Sequence, residues 1–177
     1  MRRSVLVLLV VSLAAASPAA AEAFTSRLTL KPLPGVSAGR VEGTRAFIAL
    51  SVDGGRLRVY VCDGTLKRDP TIATWFTGRW DGRSAVTLRA GGHTLEIDAV
   101  GDDGRVTGRL DRKRAFTARP VPAPAGLFKG RQGRRAETWI ILSRLEKRGT
   151  MVPTRKPCRF VLVTGPNGQQ QWVSVCN

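Results

Sequence analysis

Apolar and polar residues alternate along most of this chain with a period of two. Runs at 46–52 and 56–63 are rich in Val, Leu, Ile and Tyr and are separated by Asp53-Gly54-Gly55. Further runs follow at 74–80, 83–90, 93–100, 105–110 and 114–119. Their separators are Asp81-Gly82, Gly91-Gly92, Asp102-Asp103-Gly104 and Asp111-Arg112-Lys113. Gly reaches left-handed turn conformations without a steric penalty, and Asp bonds its own backbone, so each separator reads as a turn. No amphipathic helical stretch lies between them. The pattern predicts an all-β fold, an antiparallel up-and-down meander closed as a small barrel or sandwich.

The flanks are less regular. Residues 24–44 carry Pro32, Pro34, Gly35, Gly39 and Gly43, and predict one edge strand near 28–33 followed by loop. Pro120, Pro122 and Pro124 form a stiff connector. Beyond it strands are expected at 125–129 and 137–142. A basic loop is expected at 131–135, a helical turn at 145–148 and a loop at 153–157. The chain closes in a hairpin at 157–177, outside a meander core at about 45–142. A three-residue loop with Gly168 left-handed pairs Gly165 with Gln169, and that register sets Cys158 opposite Cys176. A three-residue loop at 53–55 would likewise oppose Phe47, Ala49 and Ser51 to Val61, Val59 and Leu57 on a core face. The other face, with Ile48, Leu50 and Tyr60 beside Arg56 and Arg58, then needs a cover, from the late hairpin or a partner.

The first residues follow another logic. Arg2 and Arg3 precede an apolar run at 5–16, then Ser17-Pro18 and Ala19-Ala20-Ala21. This is the layout of a secretory signal peptide, 1–21, with cleavage after Ala21 and Ala23 as the alternative. The run is too short to span a bilayer stably. Residues 22–177 are then a single β domain, secreted or periplasmic, without a transmembrane segment. An oxidising compartment favours a Cys158–Cys176 disulfide and leaves Cys62 over, with 62–158 and 62–176 as the open alternatives. Cys62 reads as a buried structural thiol, or as a reactive one if Lys67 and Arg68 approach it.

Charge changes the functional picture more than any motif. Lys and Arg number 29 against 13 Asp and Glu, a formal net charge of +16. Such an excess attracts polyanions at long range. The candidate anion-binding residues are Arg112, Lys113 and Arg114, with Arg131, Arg134 and Arg135; further basic pairs stand at 147–148 and 155–156. Tyr60, Trp80 and Arg83 are a candidate ligand rim. The expected partners are an anionic cell-envelope polymer or an acidic protein, with nonspecific nucleic-acid binding besides.

Catalytic sets are missing from the pattern. The single histidine, His93, follows Gly91-Gly92 at an expected hairpin tip, and no Gly-x-Ser-x-Gly elbow is present. Asp53, Asp63, Asp81 and Asp103 each precede a glycine and read as turn residues. No catalytic residue, metal ligand or cofactor is assigned. The expected function is a secreted, non-catalytic binding or envelope-associated module. The alternative is an inhibitor of an extracellular hydrolase, with loops 111–114 and 131–135 inserting. An enzyme built on Cys62 or on Asp and Arg groups is a third class.

One ordered set of short motifs runs through the meander. It comprises Val59-Tyr60-Val61-Cys62-Asp63-Gly64, Trp75-Phe76-Thr77-Gly78, Gly92 with Leu95, Val106 with Gly108, and Phe116 with Ala118. Ala125-Gly126-Leu127-Phe128 and Trp139-Ile140 with Leu142 complete it. Together, over about 45–142, they resemble an uncharacterised family of secreted β-rich proteins from high-GC bacteria. The resemblance implies an exported β-rich module and no particular activity. Phe128 stands where that family usually has tyrosine, and the cysteine hairpin departs from its pattern.

Overall fold

The computed structural model describes residues 26–132, 135–151, 158–165 and 167–176, with backbone alone at 26–29, 132, 135, 151, 158 and 176. The alternating runs become strands. In chain order they are β1 (Ser26–Thr29), β2 (Lys31–Pro32), β3 (Val36–Val41), β4 (Phe47–Asp53), β5 (Arg56–Cys62), β6 (Ala73–Arg79), β7 (Val86–Ala90) and β8 (His93–Val100). Then come β9 (Val106–Leu110), β10 (Arg114–Pro120), β11 (Gly126–Gln132), β12 (Arg135–Ile141), β13 (Lys147–Met151), β14 (Cys158–Thr164) and β15 (Gln170–Cys176).

Strands β3 to β10 form one antiparallel eight-stranded sheet that curls into a nearly closed up-and-down barrel. Strand β10 pairs back onto β3. The seam lies between β6 and β7, which sit side by side without a ladder; a Cβ on Gly78 would fall 2.6 Å from Leu88 Cδ2. Here the structure corrects the hairpin expected around Asp81-Gly82. The Asp81 carboxylate accepts from Arg83 N–H at 2.8 Å and Ser84 N–H at 3.1 Å, which builds a wider connection than a tight turn.

Three apolar layers hold the fold. Ile48, Leu50, Leu57, Val59, Val61, Phe76, Leu95, Ile97 and Phe116 fill the barrel. Outside its wall, Phe47, Ala49, Tyr60 and Cys62 pack against Leu127 and Ile140 of the β13-β12-β11-β2 sheet. The far face of that sheet presents Phe128, Trp139 and Ile141 to Leu30, Trp172, Phe160 and Leu162, associated with the β1-β15-β14 sheet.

The faces of β4 are the reverse of the sequence expectation, whereas β5 keeps Leu57, Val59 and Val61 on the core face expected of them. Asp53 pairs with Arg56, so the loop has two residues, and both Gly54 and Gly55 are left-handed, at φ +55° and +74°. Two consecutive positive φ values make the tight hairpin turn that glycine pairs favour. The one-residue change of register turns Ile48 and Leu50 inward, beside Val59, and Phe47 and Ala49 outward, beside Tyr60. The cover over this outer face comes from β11 and β12, not from the late hairpin.

Three other segments differ. Residues 36–41, expected as loop, are β3, which closes the barrel. Arg131 and Arg135 belong to strands rather than a loop, and 133–134 lie outside the described residues. The helical turn expected at 145–148 is instead a turn leading into β13, which pairs with the strongly apolar β12. The terminal hairpin keeps the expected register: Gly165 N–H donates to Gln169 O at 2.8 Å, Gly168 has φ +74°, and Cys158 lies opposite Cys176. The sulfur atoms of that pair, and the expected loop at 153–157, lie outside the described residues.

Candidate functional site

Strand β13 is an edge strand whose alternation serves two surfaces. Arg148 and Thr150 point to the barrel, and Lys147 points to the terminal hairpin. The Arg148 guanidinium carbon stands 4.5 Å from the centroid of the Phe47 ring. Arg40, near the end of β3, reaches the same ring at 5.5 Å. Stacked guanidinium–ring contacts of this kind fix the plane of the cation.

The partners of these arginines are mostly backbone. Arg148 Nε donates to Arg45 O at 2.9 Å and Nη1 to Lys147 O at 2.8 Å. Arg68 comes from the loop after β5, which is tied to β13 by Gly149 N–H donating to Gly64 O at 3.0 Å. Its Nη2 donates to Asp63 O at 2.7 Å, while its Nε is buried without a hydrogen-bond partner. Burial, then the Arg68 and Arg40 charges, push the Arg148 guanidinium below its ordinary value. Arg148 therefore stands within electrostatic reach of both other cations.

Two carboxylates answer them in part. Glu146 pairs with Arg40. Asp63 accepts from Thr71 N–H at 2.8 Å, the Thr71 hydroxyl at 2.7 Å and Ile72 N–H at 3.1 Å. Burial pushes the Asp63 carboxyl up, but those hydrogen bonds and Arg68 outweigh it and hold it below the usual range. An anion seated among Arg40, Arg68 and Arg148 would relieve the remaining repulsion, and guanidinium forks suit carboxylate, phosphate and sulfate alike.

On the other surface of β13, Lys147 Nζ stands 4.7 Å from the Trp172 ring centroid and 5.8 Å from that of Phe160. A cleft of about 420 Å³ opens here, lined by Arg144, Lys147, Phe160, Val161, Leu162, Thr164, Gln170 and Trp172. Phe160 is fixed edge-on between Trp139 and Trp172, at 4.6 and 6.3 Å.

The residues expected from sequence are placed elsewhere. Arg112 and Lys113 lie in the β9–β10 turn and Arg114 opens β10. Arg112, at φ +60°, is exposed and 3.4 Å from Glu96. The turn is steadied by Asp111, which accepts from Thr94 N–H at 3.0 Å and meets His93 Nδ1 at 2.9 Å, so His93 is a half-buried staple rather than a solvated tip. Arg131 is exposed on β11, Arg135 begins β12, and Arg134 lies outside the described residues.

The expected rim of Tyr60, Trp80 and Arg83 does not assemble. Tyr60 is 1% exposed on the outer wall, its hydroxyl 3.1 Å from Thr150 Oγ1. Trp80 packs with the barrel interior and donates through Nε1 to Ser84 O at 2.6 Å, while Arg83 is exposed in the turn. Tyr60 lies on the outer side of the wall, covered by β11 and β12, whereas Trp80 turns into the barrel, so the two rings stand on opposite sides.

Cys62 is buried and free. Burial pushes its thiol up, against smaller opposing effects of Tyr60 and the Gly64 N–H. That environment suppresses the nucleophilic thiolate. Among the described residues no three His, Cys, Asp or Glu side chains converge as a metal site would need, and no helix is long and apolar enough to cross a membrane.

Sequence reading missed the Arg40–Arg68–Arg148 cluster as a unit. Arg148 and Arg68 each belong to a basic pair, 147–148 and 67–68, but Arg40 stands alone, and only the fold brings the three segments together. No protein-family model, curated protein or solved structure matches this chain.

Proposed function

We propose that this protein is an exported, non-catalytic module that binds an anionic partner where Arg40, Arg68 and Arg148 converge. The convergence of three guanidiniums around the Phe47 ring and the 63–72 loop carries the reading. The net charge, +16 for the whole chain and +14 once 1–21 with Arg2 and Arg3 are removed, supplies long-range attraction to the same class of partner. Export rests on the leader-like segment 1–21 and on the family resemblance. The partner is an anionic cell-envelope polymer or an acidic protein, and nucleic acid is held nonspecifically through charge alone.

Polyphosphate titration tests the site. Arg148→Gln is expected to lower affinity about tenfold, as removal of a charge-assisted hydrogen bond does. Arg89→Gln removes an exposed charge on β7, four strands from β3 in the sheet order, and is expected to change affinity less than about twofold. Equal losses in the two variants would reduce the binding to overall charge and sink the assignment.

The export reading includes the Cys158–Cys176 disulfide. Of the three cysteines, a thiol reagent is expected to find none reactive in the folded protein and only Cys62 in the denatured, unreduced chain. All three thiols reacting after denaturation would remove the disulfide from the proposal.

A further inference from the structure

The turn that leads into β13 holds an aliphatic side chain out in solvent. Leu145 is 95% exposed, whereas the next most exposed large apolar residue among the described residues, Val100, is 41% exposed. The turn is well built. Ser143 Oγ accepts from Leu145 N–H at 3.3 Å and Glu146 N–H at 3.1 Å, and Leu142 N–H donates to Glu146 O at 3.0 Å. Lys147 Nζ closes onto Arg144 O. The leucine is thus displayed by a preorganised loop, which loses little entropy on docking.

Its surroundings are cationic and apolar together. Arg144 and Lys147 flank it in sequence and line one cleft with half-buried Phe160, Val161 and Leu162. The one acid of the turn, Glu146, is engaged by Arg40. An aliphatic tip between cations matches the boundary of an anionic bilayer, where acyl chains accept the leucine and phosphates meet the cations. A soluble polyanion offers the cations a partner and the leucine none.

We propose that the 143–147 turn docks on an anionic lipid surface, with Leu145 at the acyl boundary and Arg144 and Lys147 on headgroup phosphates. This rests on the anion-binding reading, but it uses residues other than the arginine cluster. The test compares wild type and Leu145→Ser by co-sedimentation with phosphatidylglycerol–phosphatidylcholine vesicles and with phosphatidylcholine alone, beside polyphosphate titration. Wild type is expected on the anionic vesicles only. Leu145→Ser is expected to lower that partitioning about tenfold, because serine has no aliphatic group to bury among the acyl chains, and to bind polyphosphate as wild type does. Leu145→Trp is expected to gain a blue-shifted emission component on anionic vesicles.

Equal partitioning of wild type and Leu145→Ser, or no emission shift, overturns the docking. Binding of wild type to polyphosphate without binding to vesicles overturns it too and leaves the arginine-cluster reading standing. Binding to neither overturns both.

Discussion

Replacing Trp139 with alanine is expected to destabilise the protein by about 4 kcal/mol in urea unfolding, as large core truncations of aromatic residues do. Trp139 is fully buried in β12, at the centre of the layer between the four-stranded sheet and the terminal hairpin. The Phe160 ring meets it edge-on at 4.6 Å and 80°. Beneath it, β13 approaches so closely that a Cβ on Gly149 would fall 2.5 Å from Trp139 Cδ2. The indole N–H also donates to Glu137 Oε2 at 3.1 Å within the buried region. Alanine would leave a cavity between two sheets that the short β13 and the hairpin are too constrained to fill. Trp139→Phe keeps most of the apolar packing and is expected to cost about half as much. Hydrogen exchange locates the effect: amides of β14 and β15 should lose protection before those of the barrel, because the barrel interior is a separate cluster. A destabilisation below about 1 kcal/mol would mean that the hairpin is not seated on this tryptophan.

Local signals were legible where turn chemistry left one answer. Gly91-Gly92 gave a two-residue turn that pairs Ala90 with His93. Gly165 to Gly168 fixed the terminal hairpin to the residue. At 53–55 the same kind of signal left two answers, and the backbone took the tighter one through Gly54 and Gly55. Because side chains alternate, that single residue exchanged the inner and outer faces of β4, while β5 kept the faces expected of it. Strand β13 was opaque for a different reason. Its residues Lys-Arg-Gly-Thr-Met carry little strand signal, and it forms because β12 offers an apolar edge and Gly149 lets it lie against Trp139. The arginine cluster inherits that opacity. Arg148 reaches Phe47 only because β13 lies over the barrel wall, and Phe47 faces outward only in the register that sequence left open. Tertiary packing decided both.

Gly39→Ala is expected to destabilise the protein by about 3 kcal/mol, at the upper end for overpacking, although alanine is the smallest possible addition. Gly39 lies in β3, opposite Ala118 of β10, in the ladder that closes the barrel on itself. A Cβ there would fall 1.9 Å from Thr117 O, 2.9 Å from Thr117 C and 3.1 Å from Ala118 Cα. All three atoms are backbone, so no flexible side chain can swing aside. Relief requires β3 and β10 to separate, and β3 also carries Val36 and Ala38 onto the layer beneath β11. The strain therefore reaches both the barrel and its cover. Gly54→Ala makes the contrast, since a Cβ there meets nothing within 4 Å and only the left-handed φ of +55° opposes it; that strain is worth about 1 kcal/mol. Urea midpoints for the two variants separate the effects. If Gly39→Ala is no worse than Gly54→Ala, β3 and β10 do not approach as closely as this ladder requires. The same glycine interrupts the apolar alternation of 36–41, so the close approach that closes the barrel is also what hid its first strand from the sequence pattern.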